Sequence, residues 1–448
     1  MAKKTANFTW VDAIYTGLLL VIFAGIVLHA PFSVSFSSLF PDYELLIKSW
    51  KEILLGIATL LLPVVLTLHK RWNIFKEPLF ICIAAFAALN IALIPVFFTG
   101  VEATLAGILI NLRYLLFFVL VYVALTLYPQ YIRLFIKVFI GGALIVLVFA
   151  ILQVTVLPHD ILKYLGYNQT TIMPFLTVDQ NTDFIRINST LRGPNPLGAY
   201  AMVVLALLLA LLLAFWLKRR RNLSKAQQWV MAILGVGSIV ALWASYSRSA
   251  ALGAIVAVAL ILVAVAGKRI PKKAWVALAV VAVLVGSSLV VFKESYFVSN
   301  VILHENPSEG NDLNSNDGHA DSLVDGTMRL VEQPLGGGIG STGSASLLSD
   351  SPVIIENQYL FIAHETGWIG LGLFLVISWL IFTHLWKGRR DWFILGVFAS
   401  GIGLALIGLI QPVWVDETVS LVWWGLVAIA LVRSRGSDIL LVDNDNKK

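Results

Sequence analysis

The chain has 448 residues, 58% of them hydrophobic and 13% charged, with a formal net charge of +6 and a mean hydropathy of +0.86. A soluble domain carries about 25% charged residues, so this composition excludes an ordinary soluble fold, and equally a disordered chain, a collagen-like fibre or a disulfide-stapled scaffold. The one cysteine, Cys82, lies in an apolar run; it permits no intrachain disulfide or thiolate zinc cluster and reads as a small buried hydrophobe.

What remains is an all-α polytopic membrane protein. A spanning helix takes about 20 mostly apolar residues. Twelve such runs follow in chain order: 12–30, 51–69, 78–97, 104–127, 131–154, 196–217, 227–244, 249–266, 274–292, 358–385, 392–411 and 417–432. No long alternation of apolar and polar residues suggests a barrel. With the N-terminus placed in the cytoplasm, the inner connections hold 23 of the 32 Lys and Arg residues, as the positive-inside bias requires. An even span count puts the C-terminus on the same side. The basic residues therefore read as topology signals, not as a nucleic-acid footprint. The first run is longer than a secretory h-region and lacks a small-residue cleavage site, so it reads as an uncleaved anchor.

The wet mass is expected in two outer connections, 155–195 and 293–357. The second holds ten acidic and two basic residues. Its middle, ENPSEGNDLNSND from Glu305 to Asp317, is turn-rich and expected to be mobile. Its later part reads as a short amphipathic helix, with Leu323, Val324, Met328, Leu330 and Val331 on one face, before a glycine-rich turn. Loops of this length are functional or disordered, so chemistry is expected at the outer face between spans five and ten. No internal repeat is evident.

Three outer clusters and one intramembrane residue carry the candidate chemistry. Arg113 is the clearly intramembrane ionisable residue; a buried Arg is costly, so it reads as a basic group lining an outward cavity, against the alternative of snorkelling to water. Arg192 precedes Gly193-Pro194-Asn195-Pro196, where Pro196 fits a first helical position and Asn195 an N-cap. A guanidinium just outside a helix start can share an anion with the free amides; a plain cap beside a solvated Arg fits the spacing equally well. Arg248 lies in SYSRSA, a very short outer turn, against the charge bias; its alternative role is an interfacial anchor. Gly336, Gly337, Gly338 and Gly340 follow Pro334 and could aim backbone amides at an anion, although they form neither a Walker loop nor a dinucleotide fingerprint. His319 sits in the large loop. No HExxH or GxSxG pattern exists, and no dedicated metal site is expected.

Four segments in order, RGPNPLGAY at 192–200, SYSRSA at 245–250, PLGGGIGSTG at 334–343 and ENQYLFIAHETGWIG at 356–370, resemble the O-antigen ligase and Wzy-type polymerase superfamily of bacterial membrane glycosyltransferases. The likeness covers about 190–370 of a single membrane domain, 1–448. It implies a GT-C-like bundle of about twelve transmembrane helices with a large extracytoplasmic loop. It also implies inverting transfer of a glycan from an undecaprenyl-diphosphate carrier to an acceptor hydroxyl, at the outer face of the bacterial cytoplasmic membrane. No metal, nucleotide or other cofactor is implied. The partners would be that donor, a glycan, lipid or wall acceptor, and the bilayer. By motif match, Arg192 and Arg248 would hold the diphosphate, with Arg113 as a further position. In the ligases the last motif opens with His followed by Asn, Ser or Gln; here Glu356 stands in that place before Asn357, and Gly367 closes the motif. Glu356 would then take the acceptor's proton, or His319 would do so with Glu356 orienting it, or Glu356 only caps span ten. A polymerase of the same superfamily and a flippase of lipid-linked sugars are the competing functions.

Overall fold

A computed structural model describes residues 8–178, 181–218, 223–266, 273, 287–288, 291–293, 295–296, 298–303 and 315–445; within these, the side chains of 217–218, 266, 301–303, 315–320 and 436–445 lie outside the description. The described helices are α1 Trp10–Leu39, α2 Trp50–Leu68, α3 Pro78–Leu93, α4 Val101–Leu127, α5 Pro129–Thr155, α6 Pro194–Lys218, α7 Lys225–Ala244, α8 Arg248–Ala266, α9 Ser315–Glu332, α10 Gln358–Lys387, α11 Trp392–Ile407 and α12 Glu417–Asp445. Among the described residues nine helices are long and apolar enough to cross a bilayer, and α3 and α11 are shorter apolar helices. The chain is therefore an all-α polytopic membrane protein. The expected span at 274–292 lies almost wholly outside the described residues, as does most of Glu305–Asp317.

The helix α4 packs along α12, α6 along α7, α8 and α11, and α3 along α10. The centre is aromatic: Phe117, Phe118, Tyr114, Trp423 and Trp424 are all fully buried. In lipid such a core is held by close packing rather than by escape from water. Exposed Trp10, Trp72, Trp216 and Trp229 ring one end of the bundle, and Trp243 and Trp368 lie towards the other, as interfacial belts do.

The two short helices have a common cause. At 16 residues each, α3 and α11 extend about 24 Å, less than a hydrocarbon core of about 30 Å. Both stop short at the same end. Beyond α3, the Thr99 hydroxyl donates to Ile339 O at 2.5 Å. Beyond α11, residues 408–416 run as irregular backbone to α12. Non-helical backbone is tolerated at such depth where protein surrounds it, and here the neighbouring loops and helix ends supply its hydrogen bonds.

Outside the helices, residues Leu176–Val178 and Asn181–Arg186 form a two-stranded antiparallel hairpin, pairing Leu176 with Arg186. The amphipathic helix α9 lies against α10 with Gly326 buried near Leu360. The expected helix is present, with Leu323, Val324, Met328 and Val331 exposed and Leu330 partly buried.

Candidate active site

The candidate residues gather around the 408–417 connection, at the end of the bundle where α3 and α11 stop. The helix α6 begins at Pro194, two residues before the expected Pro196, so Asn195 is no N-cap; its Oδ1 instead accepts from Arg186 NH2 at 2.6 Å. Arg186 Nε also donates to Ser245 O at 2.8 Å. One guanidinium thus ties the segment after Arg192 to the turn before Arg248. Gly198 makes the same junction by close approach: a Cβ there would lie 2.8 Å from both Ser245 Oγ and Ala250 Cβ. Arg192 itself is exposed, with no hydrogen bond or ion pair among the described residues, and its charge reaches Asp416. Arg248 is half-buried at the first residue of α8.

From α8 the network continues into the connection. Gln411 Nε2 donates to Ser249 Oγ at 2.6 Å. Gln358, the first residue of α10, donates its amide to Gly408 O at 2.8 Å and accepts from Trp414 N at 2.8 Å through Oε1. Asn357 caps α10 by accepting from Tyr359 N and Leu360 N, and its Nδ2 donates to Leu409 O at 2.8 Å. The capping role belongs to Asn357, not to Glu356. The half-buried Glu356 precedes it and donates its backbone N–H to Ser322 Oγ of α9 at 3.0 Å. His319 lies on α9, three residues from Ser322; its side chain is outside the described residues. Beside Gln358, Tyr359 and Trp414 line an apolar cavity of about 240 Å³ that extends between α10, α11 and α12 along Phe374, Trp379 and Trp423.

The far side of the connection is a buried charge cluster. Glu417, at the start of α12, accepts from His29 Nε2 at 3.0 Å through Oε1. Its Oε2 lies 2.5 Å from Lys51 Nζ and 3.4 Å from Arg113 NH1. Lys51 also meets Glu52 at 3.1 Å, and Arg113 approaches Glu52 at 3.8 Å and donates to Val415 O. Trp50 Nε1–H donates to His29 Nδ1 at 3.0 Å. Because indole is only a donor, Nδ1 accepts and the ring proton sits on Nε2, facing Glu417. Two cations therefore meet two carboxylates. Arg113 is committed to this cluster, a correction to its reading as a group open to a ligand; it braces the 415–417 backbone. Asp416 caps α12, accepting from Val419 N at 2.8 Å. Burial pushes its carboxyl above the usual range, opposed by the Val419 amide and by the charges of Arg192 and Arg113.

The glycine run also differs from its expected role. Gly336 N donates to Gln333 O, Gly337 N to His364 O and Gly340 N to Glu365 Oε1. Three of the four amides are thus spent inside the protein. Gly340 has φ +80, and a Cβ there would lie 2.1 Å from Ala103 O, so the run serves close approach to α4 and to the Gly367 kink of α10. The carboxylate it receives is the chain's own. Glu365, fully buried, accepts from Gly340 N at 3.0 Å and from Asn111 Nδ2 at 2.6 Å. Among the described residues no group of three or more His, Cys, Asp or Glu is placed to hold a metal ion.

Sequence reasoning passed over Arg186, Lys51, Glu417 and Gln411, and gave Gln358 no role beyond its place in the motif that opens α10. Lys51 and Arg186 carried a usable signal, since the charge bias that singled out Arg248 assigns both, against the trend, to connections on the outer side. The two glutamines gave none.

The described helices thus form a membrane bundle in which arginines and a carboxylate stand around one buried polar connection. Residues 233–375 match the family model Wzy_C, O-Antigen ligase. The match covers about a third of the chain and supports kinship of that region with the O-antigen ligase and Wzy-type superfamily, and with it a glycosyltransferase-like role for a multi-pass membrane protein in polysaccharide biosynthesis. No curated protein matches the chain.

Proposed function

We propose that the chain transfers a glycan from a polyprenyl-diphosphate carrier to an acceptor hydroxyl at the outer face of the bacterial cytoplasmic membrane, both termini being cytoplasmic. The acceptor oxygen attacks the anomeric carbon and the bond from that carbon to the diphosphate oxygen breaks. The hydroxyl proton passes to the Glu356 carboxylate, and polyprenyl diphosphate leaves with the bonding pair. Charge grows on the leaving oxygen, where preplaced guanidiniums act most strongly. Arg192 and Arg248 take that role, and the Arg186 bridge sets their spacing. The apolar cavity beside Tyr359 and Trp414 suits part of the polyprenyl tail.

The observation that carries the reading is the chain of hydrogen bonds from Arg186 through Ser245, Ser247, Ser249 and Gln411 to the 408–414 connection, and from that backbone to Gln358, beside Glu356. It supports a common site for three motifs that are distant in sequence. Purified protein in detergent, given a lipid-linked glycan donor and acceptor, tests the proposal. Transfer is expected to fall by at least about a hundredfold in Arg192→Ala and Arg248→Ala, and to be lost in Glu356→Ala. Near-normal transfer by Arg192→Ala overturns the diphosphate assignment; near-normal transfer by Glu356→Ala moves the base to His319 or elsewhere. Product length decides the acceptor: a ladder of repeats marks polymerisation, and a single addition to a finished acceptor marks ligation.

A further inference from the structure

At the opposite end of the bundle a cavity of about 1050 Å³ opens between the ends of α3, α4, α10, α11 and α12. Its charged lining is Lys387, Arg390, Arg433 and Arg435 against Glu77 and Asp391. Both carboxylates are already engaged. Glu77 receives both terminal nitrogens of Arg435, NH1 at 2.8 Å. Asp391 receives Arg433 Nε at 2.8 Å and NH2 at 2.7 Å, and also caps α11 through Phe393 N at 2.8 Å. Aromatic faces hold the same guanidiniums: Arg435 lies 5.3 Å from the Tyr122 ring centroid and Arg433 5.7 Å from that of Trp392. Lys387 and Arg390, both exposed, have no hydrogen bond or ion pair among the described residues. The cavity thus carries two cations in excess of its acids. Below the charged rim its wall is apolar, with Phe80, Leu380, Ile394 and Leu431.

We propose that this cavity seats an anionic glycerophospholipid of the leaflet at that end. The phosphate lies against Lys387 and Arg390, and an acyl chain follows the apolar wall between α3, α10 and α12. A basic pocket between transmembrane helix ends, with its cations at headgroup height, is the arrangement that binds such lipids. A free phosphate would use the rim but leave the wall uncovered; a zwitterionic lipid would cover the wall but bring its own cation to the rim. The site is remote from the proposed chemistry and stands whether or not that proposal holds.

The experiment uses the full-length protein, stripped of lipid in detergent and titrated with dioleoylphosphatidylglycerol, with dioleoylphosphatidylcholine, or with inorganic phosphate, bound lipid being read by native mass spectrometry. Each Lys or Arg near an anionic headgroup contributes enough that losing two lowers affinity by about thirtyfold. Lys387→Gln with Arg390→Gln is therefore expected to weaken phosphatidylglycerol by about that factor and to leave phosphatidylcholine unchanged. Arg389→Gln, whose guanidinium stacks on Trp386 at 4.2 Å outside the cavity lining, is the control and should bind as the wild type does. The proposal is overturned by wild-type phosphatidylglycerol affinity in the double variant, by equal binding of both lipids to the unaltered protein, or by displacement of the lipid by millimolar phosphate. Gel filtration and helical content confirm that the variants fold; should the double variant not fold, the lipid comparison on the unaltered protein alone still decides.

Discussion

Replacing Glu417 with alanine removes the acceptor shared by His29, Lys51 and Arg113. The side chains of Lys51, Arg113 and Glu417 are 6%, 9% and 14% exposed, so water does little to screen what is left. Lys51 and Arg113 would then face Glu52 alone, two cations against one carboxylate, with the Arg113 contact to Glu52 already stretched to 3.8 Å. Breaking a buried pair from one side costs about 3–5 kcal/mol because the partner charge stays buried and uncompensated. Glu417→Gln keeps an acceptor but loses the charge, and should cost about half as much, in the range of one charge-assisted hydrogen bond, about 1.5–3 kcal/mol. Lys48→Ala is the contrast: its pair with Glu44 is about half exposed on both sides, and such pairs contribute at most about 1 kcal/mol. Denaturant-induced unfolding of purified protein, in one detergent and at fixed lipid content, measures all three. A cycle of Lys51→Met with Glu417→Gln should show a coupling of about 1 kcal/mol or more. If Glu417→Ala unfolds within about 0.5 kcal/mol of the unaltered protein, a change usual for a surface site, the cluster does not brace the connection and the argument fails.

Other substitutions probe the remaining parts of the site. Gly340→Ala forces a Cβ to within 2.1 Å of Ala103 O at a φ of +80; a cost of about 3 kcal/mol or more is expected, read as lost folded yield, while Gly17→Ala, where a Cβ meets nothing within 4 Å, should be neutral or slightly stabilising. Glu365→Ala strands the Gly340 amide, at about 1–3 kcal/mol for an unsatisfied donor, and leaves Asn111 Nδ2 with Asn90 Oδ1 alone, at 3.1 Å, whereas Glu365→Gln keeps an acceptor for Gly340 and should unfold later than the alanine variant in the same titration. Arg186→Lys replaces a fork that reaches both Ser245 O and Asn195 Oδ1 with a single ammonium. Transfer should fall about tenfold or more, and the fold should be destabilised by about 1.5–3 kcal/mol, the worth of one charge-assisted hydrogen bond; unchanged kcat/KM would remove Arg186 from the positioning of Arg192 and Arg248.

Much of the bundle could be read directly, because a membrane imposes one length on every span. The start expected at residue 249 is Arg248, and the start expected at 358 is Gln358. The errors have a shared physical source. Apolar residues continue past the true ends of α3 and α11, through Ile94, Val96 and Phe97 and through Leu409 and Ile410, and Val96, Leu409 and Ile410 are exposed on the surface of the bundle. Hydropathy reports apolar surroundings, lipid included, and does not distinguish a helix from irregular backbone at the same depth. The extension of α1 to Leu39 went unseen for the opposite reason, since Ser33, Ser35, Ser37 and Ser38 interrupt the apolar run. At the site, motif spacing gave residue types but not partners. Nothing local in the glycine run announces the Glu365 carboxyl as its partner, and nothing near Arg113 announces Glu417, which is 304 positions away.

The partners, more than the positions, separate the cations of the connections that the charge bias would place outside. By the charge bias alone Lys48, Lys51, Lys163, Arg192 and Arg329 are equivalent anomalies. Lys48 pairs with Glu44, Lys163 with Asp160 and Arg329 with Asp325, each within four residues on an exposed surface. Such pairs are self-contained and leave little field for a ligand. Lys51, with Arg113, meets Glu52 and Glu417 in the interior, a neutral group whose work is to hold the 415–417 backbone. Arg192 differs from all of these: it is exposed, without an ion pair among the described residues, and the carboxyl that its charge reaches, Asp416, is engaged in capping α12. A cation kept exposed at one end of the bundle without an acid of its own adds nothing to the bundle's packing. It does add attraction for an anion that arrives and leaves, and a diphosphate carried in the bilayer is such an anion. Supplying Arg192 with a local carboxylate should therefore abolish transfer while leaving the unfolding transition in place: Gly193→Glu, at a half-buried position where a Cβ meets nothing closer than 3.8 Å, is the substitution that does this, and a Gly193→Glu protein that transfers glycan normally would refute the distinction.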